Sequence, residues 1–452
     1  MMSINIQYSN KSLMNEKSTI ISFASFIFHQ SHVASIKAKP LAGVRVTKRA
    51  KSIEYAIRDV IGYTDQLVSE GKKIFYLNIG DPPSFDFHTP PHVIQALCKA
   101  VQENNNHYSS SEGLPELREA ITRKEKRVND VEISPCDVLV TEGVSEGIEM
   151  ILATLVEEGD EILFPGPTYP PYISYTKFFD GKPVAYETVE DDRWQPDVDD
   201  LRSKITEKTR AIVITNPNNP TGALYGKKVV KQMLDVAGEY NLLVVSDEIY
   251  DQITYSEDFA STAYLAKDIP VVGLNGFSKT YLMTGWRLGY MYFKAENGEL
   301  ENVKQAILKE CRIRLCANTP VQIAATAALD GPQDHIKVMV EKLRQRRDYA
   351  WKRFSEMEGL SCAKPEGAFY VFPKIHEVGS RWKTDLDFVL HLLKETGVLT
   401  VNGSGFDTVY GAGHFRVVFL PPIETLEEAF NEVERFMKKK TQKEAPRRVG
   451  HG

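Results

Sequence analysis

The sequence predicts an α/β protein in which a mostly parallel sheet lies between helices and a second, smaller α/β domain follows. From about Ser134, short apolar runs alternate with stretches of helical spacing, the pattern of strand-helix units that feed a parallel sheet. After Glu358 the pattern changes to short strand-like runs placed between two helices. The chemically unusual residues fall just after the strand-like runs, where ligand crevices open in such sheets.

In chain order, residues 137–141 read as a strand. Residues 145–156 carry Ile148, Ile151, Leu152 and Leu155 at helical spacing. Strands follow at 161–164 and 211–215, a helix at 227–240, and strands at 242–246 and 270–274. A long helical stretch from Thr319 to Glu358 breaks near Gly331-Pro332. Residues 368–372, 399–401 and 415–419 then read as strands, with helices at 385–395 and 426–438. No internal repeat is visible.

Composition narrows the class. At 452 residues the chain has room for two or more cores, and 42% hydrophobic with 26% charged residues excludes a disordered or collagen-like bulk. A net charge of -6 gives no support to a nucleic-acid or anionic-membrane partner, and the basic clusters at 344–347 and 438–440 read as solvated helix faces. Five scattered cysteines with no C-x-x-C point to reduced thiols in an intracellular enzyme, expected to be cytoplasmic, or organellar if residues 1–44 are a transit peptide, and the histidines show no metal-ligand spacing. Residues 1–44 are Ser-rich with a single acid, Glu16, and read as a disordered or over-extended start. A secretory or organelle-targeting segment stays open. The tail from Thr441 reads as disordered.

Each loop after a strand offers a piece of chemistry beside a plainer reading. Ser278-Lys279, with Arg287 eight residues on, supplies an amine able to form a Schiff base and a hydroxyl and guanidinium able to hold phosphate; a lone loop lysine is the alternative. Asp247 follows Leu-Leu-Val-Val-Ser, so it is either a helix cap or a buried carboxylate awaiting a cation, such as a protonated ring nitrogen. In Asn216-Pro217-Asn218-Asn219-Pro220-Thr221-Gly222 two prolines restrict the backbone and aim the Asn219 amide, although turn chemistry alone explains the segment. Tyr250 lies three residues after Asp247. Gly143-Val144-Ser145-Glu146-Gly147 opens a helix whose free N–H groups and serine hydroxyl suit an anion. Tyr169 could cover a planar ring or pack in the core. Arg416, inside an apolar run, needs an anion: either an internal carboxylate or that of a substrate.

Taken in order, N-P-x-N-P-T-G, S-D-E-x-Y and S-K followed after seven residues by R make the chain resemble the class I/II pyridoxal-phosphate aminotransferases of fold type I, over roughly Arg45 to Lys438. Tyr55-Ala56-Ile57-Arg58, Leu77-Asn78-Ile79-Gly80-Asp81-Pro82 and Asn275-Gly276-Phe277 look most like the alanine transaminase group. The resemblance implies a large domain at 83–334 built on a mostly parallel, seven-stranded-type sheet. It also implies an arm with part of the small domain at 45–82, and a small domain at 335–440.

It further implies pyridoxal 5'-phosphate as cofactor, amino acids and 2-oxo acids as substrates, and a homodimer with shared sites. Lys279 would link the cofactor and then act as acid and base, and Asp247 would pair with the ring nitrogen. Asn219 and Tyr250 would meet the ring oxygen, and Tyr169 would stack on the ring. Ser145, the amides of Val144 and Glu146, Ser278 and Arg287 would hold the phosphate, with Tyr108 reaching across from the neighbouring subunit. Arg416 and Gly80 would bind the substrate carboxylate, with Tyr55 and Arg58 nearby. Gly276 departs from the serine common at that position, and the loop at 402–406 departs from P-G-x-x-F.

Overall fold

The computed structural model describes residues 45–439 apart from 52, 54, 257 and 258. The expectations for residues 1–44 and for the tail from Thr441 lie outside the described residues.

Fifteen strands are described. The first, β1 (Phe75–Tyr76), precedes the main sheet. That sheet is built from β2 (Val138–Thr141), β3 (Glu161–Gly166), β4 (Lys182–Val189), β5 (Gln195–Pro196), β6 (Thr209–Thr215), β7 (Leu243–Asp247), β8 (Val271–Gly276) and β9 (Gly289–Lys294). Their order is β2-β9-β8-β7-β6-β3-β4-β5. The central run from β8 to β4 is parallel, and β9 inserts antiparallel between β8 and β2. The seven-stranded expectation gains an eighth strand because Gln195 and Pro196 pair antiparallel with Val189 and Thr188 at the edge. A proline is tolerated there because an edge strand has one side free of ladder bonds.

The inner parallel strands β3, β6, β7 and β8 are buried almost throughout, as two covered faces require. In β6, Ala211 and Val213 face one core, with Ile148, Ile151 and Leu152 of helix Val144–Leu155 and Ile307 and Leu308 of helix Glu301–Arg314. The alternate residues Ile212 and Ile214 face the other core, with Leu117 and Ile121 of helix Pro115–Asn129, Met233 of helix Lys227–Glu239 and Ala324 and Ala328 of helix Thr319–Asp330. Each fully buried aliphatic side chain contributes roughly 1.5–3 kcal/mol, so both cores act on the same strands.

Downstream lie β10 (Leu360–Ser361), β11 (Tyr370–Val371), β12 (Lys374–Ile375), β13 (Val398–Leu399), β14 (Val401–Asn402) and β15 (Phe415–Val418). The order β11-β15-β14 is antiparallel throughout. A separate core gathers Phe354, Phe388, Phe415, Val417 and Phe430 from this sheet and from helices Asp334–Glu356, Asp385–Thr396 and Ile423–Lys438. The early segment joins this part of the chain, because β1 pairs parallel with β13.

Gly276 and Gly289 sit opposite each other where β8 meets β9. A Cβ on Gly289 would stand 2.8 Å from the Gly143 carbonyl carbon and from the Val144 nitrogen, at the start of a helix that the sheet supports. One on Gly276 would press on the Gly289 Cα at 3.0 Å. Gly276 therefore reflects close strand packing as well as a lost hydroxyl. Gly289→Ala is expected to cost about 1–3 kcal/mol through overpacking against backbone. Thermal unfolding checks this, and an unchanged Tm would contradict it.

Candidate active site

The loops that follow β3, β6, β7 and β8 open on a cavity of 490 Å³, lined as well by Arg416 of β15, Tyr370 of β11 and residues between Tyr55 and Asp81. Thirteen of the residues singled out in the sequence line it: Tyr55, Arg58, Gly80, Val144, Ser145, Tyr169, Asn219, Asp247, Tyr250, Ser278, Lys279, Arg287 and Arg416.

Asp247 is the last residue of β7, paired with Leu274 of β8 and Thr215 of β6, so the sheet fixes its direction. It is 3% exposed. The fully buried Tyr172 hydroxyl donates to its Oδ2 at 3.0 Å, and the Ile249 N–H to its Oδ1 at 3.3 Å. Burial nevertheless pushes its pKa up to about 6, with these two donors and the charge of Lys279 acting against the rise.

Lys279 lies two residues beyond the end of the Phe277 packing against Tyr281 and Tyr290, and its Nζ donates to the Gly80 carbonyl at 2.7 Å. Desolvation brings the amine down to about 8; Asp81 opposes this most strongly, Arg416 and Arg287 add to it, and Asp247 opposes it.

Arg416 is 1% exposed. Its Nη1 donates to Asn219 Oδ1 at 2.7 Å, its Nη2 to the Asn78 carbonyl, and its guanidinium lies over the Tyr370 and Phe406 rings. Its Nε–H is buried without a partner among the described residues, a donor that a bound carboxylate would satisfy. Because Asn219 accepts through Oδ1, its amide NH₂ remains to donate into the cavity.

The residues expected to hold an anion also come together. Gly143 takes φ +83 at the N-cap of helix Val144–Leu155, and a Cβ there would stand 2.5 Å from an Arg287 nitrogen, so guanidinium and helix start meet closely. Arg287 is anchored through the Thr284 carbonyl at 3.0 Å.

Two expected residues stand apart from the cavity wall. The Glu146 N–H donates to the Gly143 carbonyl at 3.2 Å, and the Glu146 carboxylate pairs with Arg314 at 2.7 Å. Tyr108 is 77% exposed, on a segment held by bonds from Thr319 to the His107 carbonyl and from Arg314 to the Ser111 carbonyl.

Sequence reasoning missed Tyr172, Tyr370, Asn78, Asp81 and Thr284. Tyr370 bonds the Tyr250 hydroxyl at 2.7 Å and blocks any side chain at Gly80, where a Cβ would meet its oxygen at 2.3 Å. Its only sequence signal is its place in an apolar run, which reads as core.

The raised Asp247 pKa sets a pH dependence. Between the usual carboxylate value and about 6, the folded chain binds more protons than the unfolded one. Stability therefore falls as pH rises through that window, and the penalty is complete above it. Asp247→Asn, free of bound ligand, is expected to raise Tm over the wild type at pH 8 but not at pH 4. Parallel pH curves for the two proteins would contradict this.

Comparison with known proteins agrees with this geometry. Residues 72–433 match the family described as Aminotransferase class I and II. The chain is 34% identical over 401 residues to the glutamate-pyruvate aminotransferase AlaA of Escherichia coli, covering 88% of this chain and 98% of that one. It is 35% identical over 387 residues to a probable aspartate aminotransferase of Methanocaldococcus jannaschii, covering 85% and 97%. The solved structure of an alanine aminotransferase from Pyrococcus furiosus superposes with a TM-score of 0.86 at 55% identity, covering 88% of this chain and all of that one. On its fold, its cavity and these matches, the chain belongs to the class I and II aminotransferase family.

Proposed function

We propose that this aminotransferase uses pyridoxal 5'-phosphate to pass the amino group of L-alanine to 2-oxoglutarate, giving pyruvate and L-glutamate. The observation that carries this reading is one cavity holding a lysine amine, a buried carboxylate and a buried arginine whose Nε–H has no partner among the described residues. The similarity to the Pyrococcus furiosus enzyme supports alanine over other amino acids.

The residues suit the cofactor. Asp247 is a carboxylate that burial leaves in need of a cation, which a protonated ring nitrogen provides. The free Asn219 NH₂ and the Tyr250 hydroxyl would meet a ring oxygen, and Tyr169 would cover the ring. Ser145, the Val144 amide, Ser278 and Arg287 would hold the phosphate. When bound, the cofactor supplies an aldehyde for the amino group and a ring that takes up electron density released at Cα.

The chain's own groups do the rest. Arg416 binds the substrate carboxylate and sets the direction of the Cα–H bond. Lys279, lowered to about 8, has a neutral fraction at working pH that would take up the Cα proton and deliver it to the former aldehyde carbon of the cofactor, across the amino nitrogen. Tyr55, Ile57, Arg58 and Ile249 line the cavity, and their bulk suits a small side chain. We further propose a cytoplasmic homodimer in which exposed Tyr108 serves the partner's cavity.

Half-reactions of the yellow holoenzyme with a panel of amino acids test the assignment. L-Alanine is expected to bleach the chromophore fastest and release pyruvate, with steady-state lines against 2-oxoglutarate running parallel, as ping-pong kinetics require. Faster bleaching by aspartate or aromatic amino acids would overturn the alanine assignment. Continuous keto acid release without an acceptor would overturn transamination.

A further inference from the structure

The proposed reaction leaves one carboxylate of the cavity without a task. Asp81 lines the wall next to Gly80, whose carbonyl receives the Lys279 amine. The Asp81 Oδ1 accepts the Thr284 hydroxyl at 2.5 Å, and its Oδ2 accepts the Ser84 hydroxyl at 2.6 Å. Thr284 in turn offers its carbonyl to Arg287 Nη1 at 3.0 Å. A continuous chain of contacts therefore runs from the lysine through Gly80, Asp81 and Thr284 to Arg287. It joins two segments about 200 positions apart in sequence.

We propose that Asp81 is a positioning residue for the reaction: its carboxylate ties the Gly80 backbone beneath Lys279 to the Thr284–Arg287 turn, so that the lysine and the phosphate-holding arginine keep one register. This rests on the transaminase reading above. The bridge has a hydrogen-bonding part and a charge part. The hydrogen-bonding part needs only an acceptor oxygen toward Thr284. The charge part acts on Lys279, which also faces Arg416, Arg287 and Asp247; among these charges Asp81 acts most strongly to keep the amine protonated. Without that carboxylate the two arginines outweigh Asp247, and the nitrogen at Lys279 releases its proton at lower pH.

The two parts separate experimentally in the full-length holoenzyme. Asp81→Leu removes both, Asp81→Asn keeps an acceptor oxygen but removes the charge, and Thr284→Val removes the bridging hydroxyl from the other side. Two readouts apply: the rate at which pyridoxal phosphate is lost on dilution into inorganic phosphate, and the pH midpoint of the chromophore. Asp81→Leu and Thr284→Val are each expected to speed loss by about tenfold, the scale of one part-buried hydrogen bond, and the double variant to be no faster than either. Asp81→Asn is expected to keep the wild-type loss rate but to move the pH midpoint lower, and Thr284→Val to leave the midpoint in place.

Additive effects of Asp81→Leu and Thr284→Val, or wild-type behaviour of Asp81→Leu in both readouts, would overturn the bridge. No amino acid enters these measurements. A holoenzyme that shows the bridge pattern but ignores alanine therefore overturns only the alanine reading, and a chain that retains no pyridoxal phosphate overturns both.

Discussion

The rest of the site depends on one constraint: charged side chains drawn out of water into a single cavity must each be answered there. Asp247 and Arg416 are nearly inaccessible, and Lys279 lines the same cavity. An unanswered buried charge costs several kcal/mol, enough to consume much of a domain's stability. Arg416 is met by a backbone carbonyl, an amide oxygen and two ring faces. Asp247 is met by two donors and remains raised, and Lys279 is met by one carbonyl and remains lowered. The two residual imbalances are opposite in sign, which is the condition for binding a group that brings both a cation and an electrophile.

The loops that carry these groups are held from behind. On the far side of the β7 and β8 ends, Asp251 accepts Lys124 Nζ at 2.5 Å, Asn275 Nδ2 at 2.9 Å and Asn129 Nδ2 at 3.1 Å, all buried. Glu125 joins through Lys124 and the Tyr290 hydroxyl. The two carboxylates keep Lys124 protonated despite the desolvation that acts against it. In this way the loop with Tyr250, the strand leading to Lys279 and helix Pro115–Asn129 share one polar knot. Such a network fixes geometry more than it adds stability.

Much of this was legible in the sequence because the signal was local. Residues 211–215 and 242–246 read as strands from apolar runs, Asp247 stands out as a carboxylate directly after one of them, and Asn219 as an amide in a loop that two prolines restrict. Strand Lys182–Val189, with a proline and alternating polar residues, gave no such run, and Gly289–Lys294 was hidden behind the loop motif that precedes it. The groups that tune the site were less visible still. Tyr172 reaches Asp247 across 75 positions, Asn78 reaches Arg416 across 338, and Tyr370 reaches Tyr250 across 120. Tyr172 and Tyr370 read as core residues, and Asn78, although inside the Leu77–Pro82 motif, gives no sign of its partner; only the fold brings the three to the site residues they contact.

The central claim is that Lys279 carries the proton of the substrate's Cα. Exchange of that proton in deuterated water, with L-alanine and no 2-oxo acid, measures it directly by NMR. The holoenzyme is predicted to exchange the Cα proton, and Lys279→Ala to lose that exchange while still binding pyridoxal phosphate through the remaining contacts. Exchange at an undiminished rate in Lys279→Ala would contradict the account.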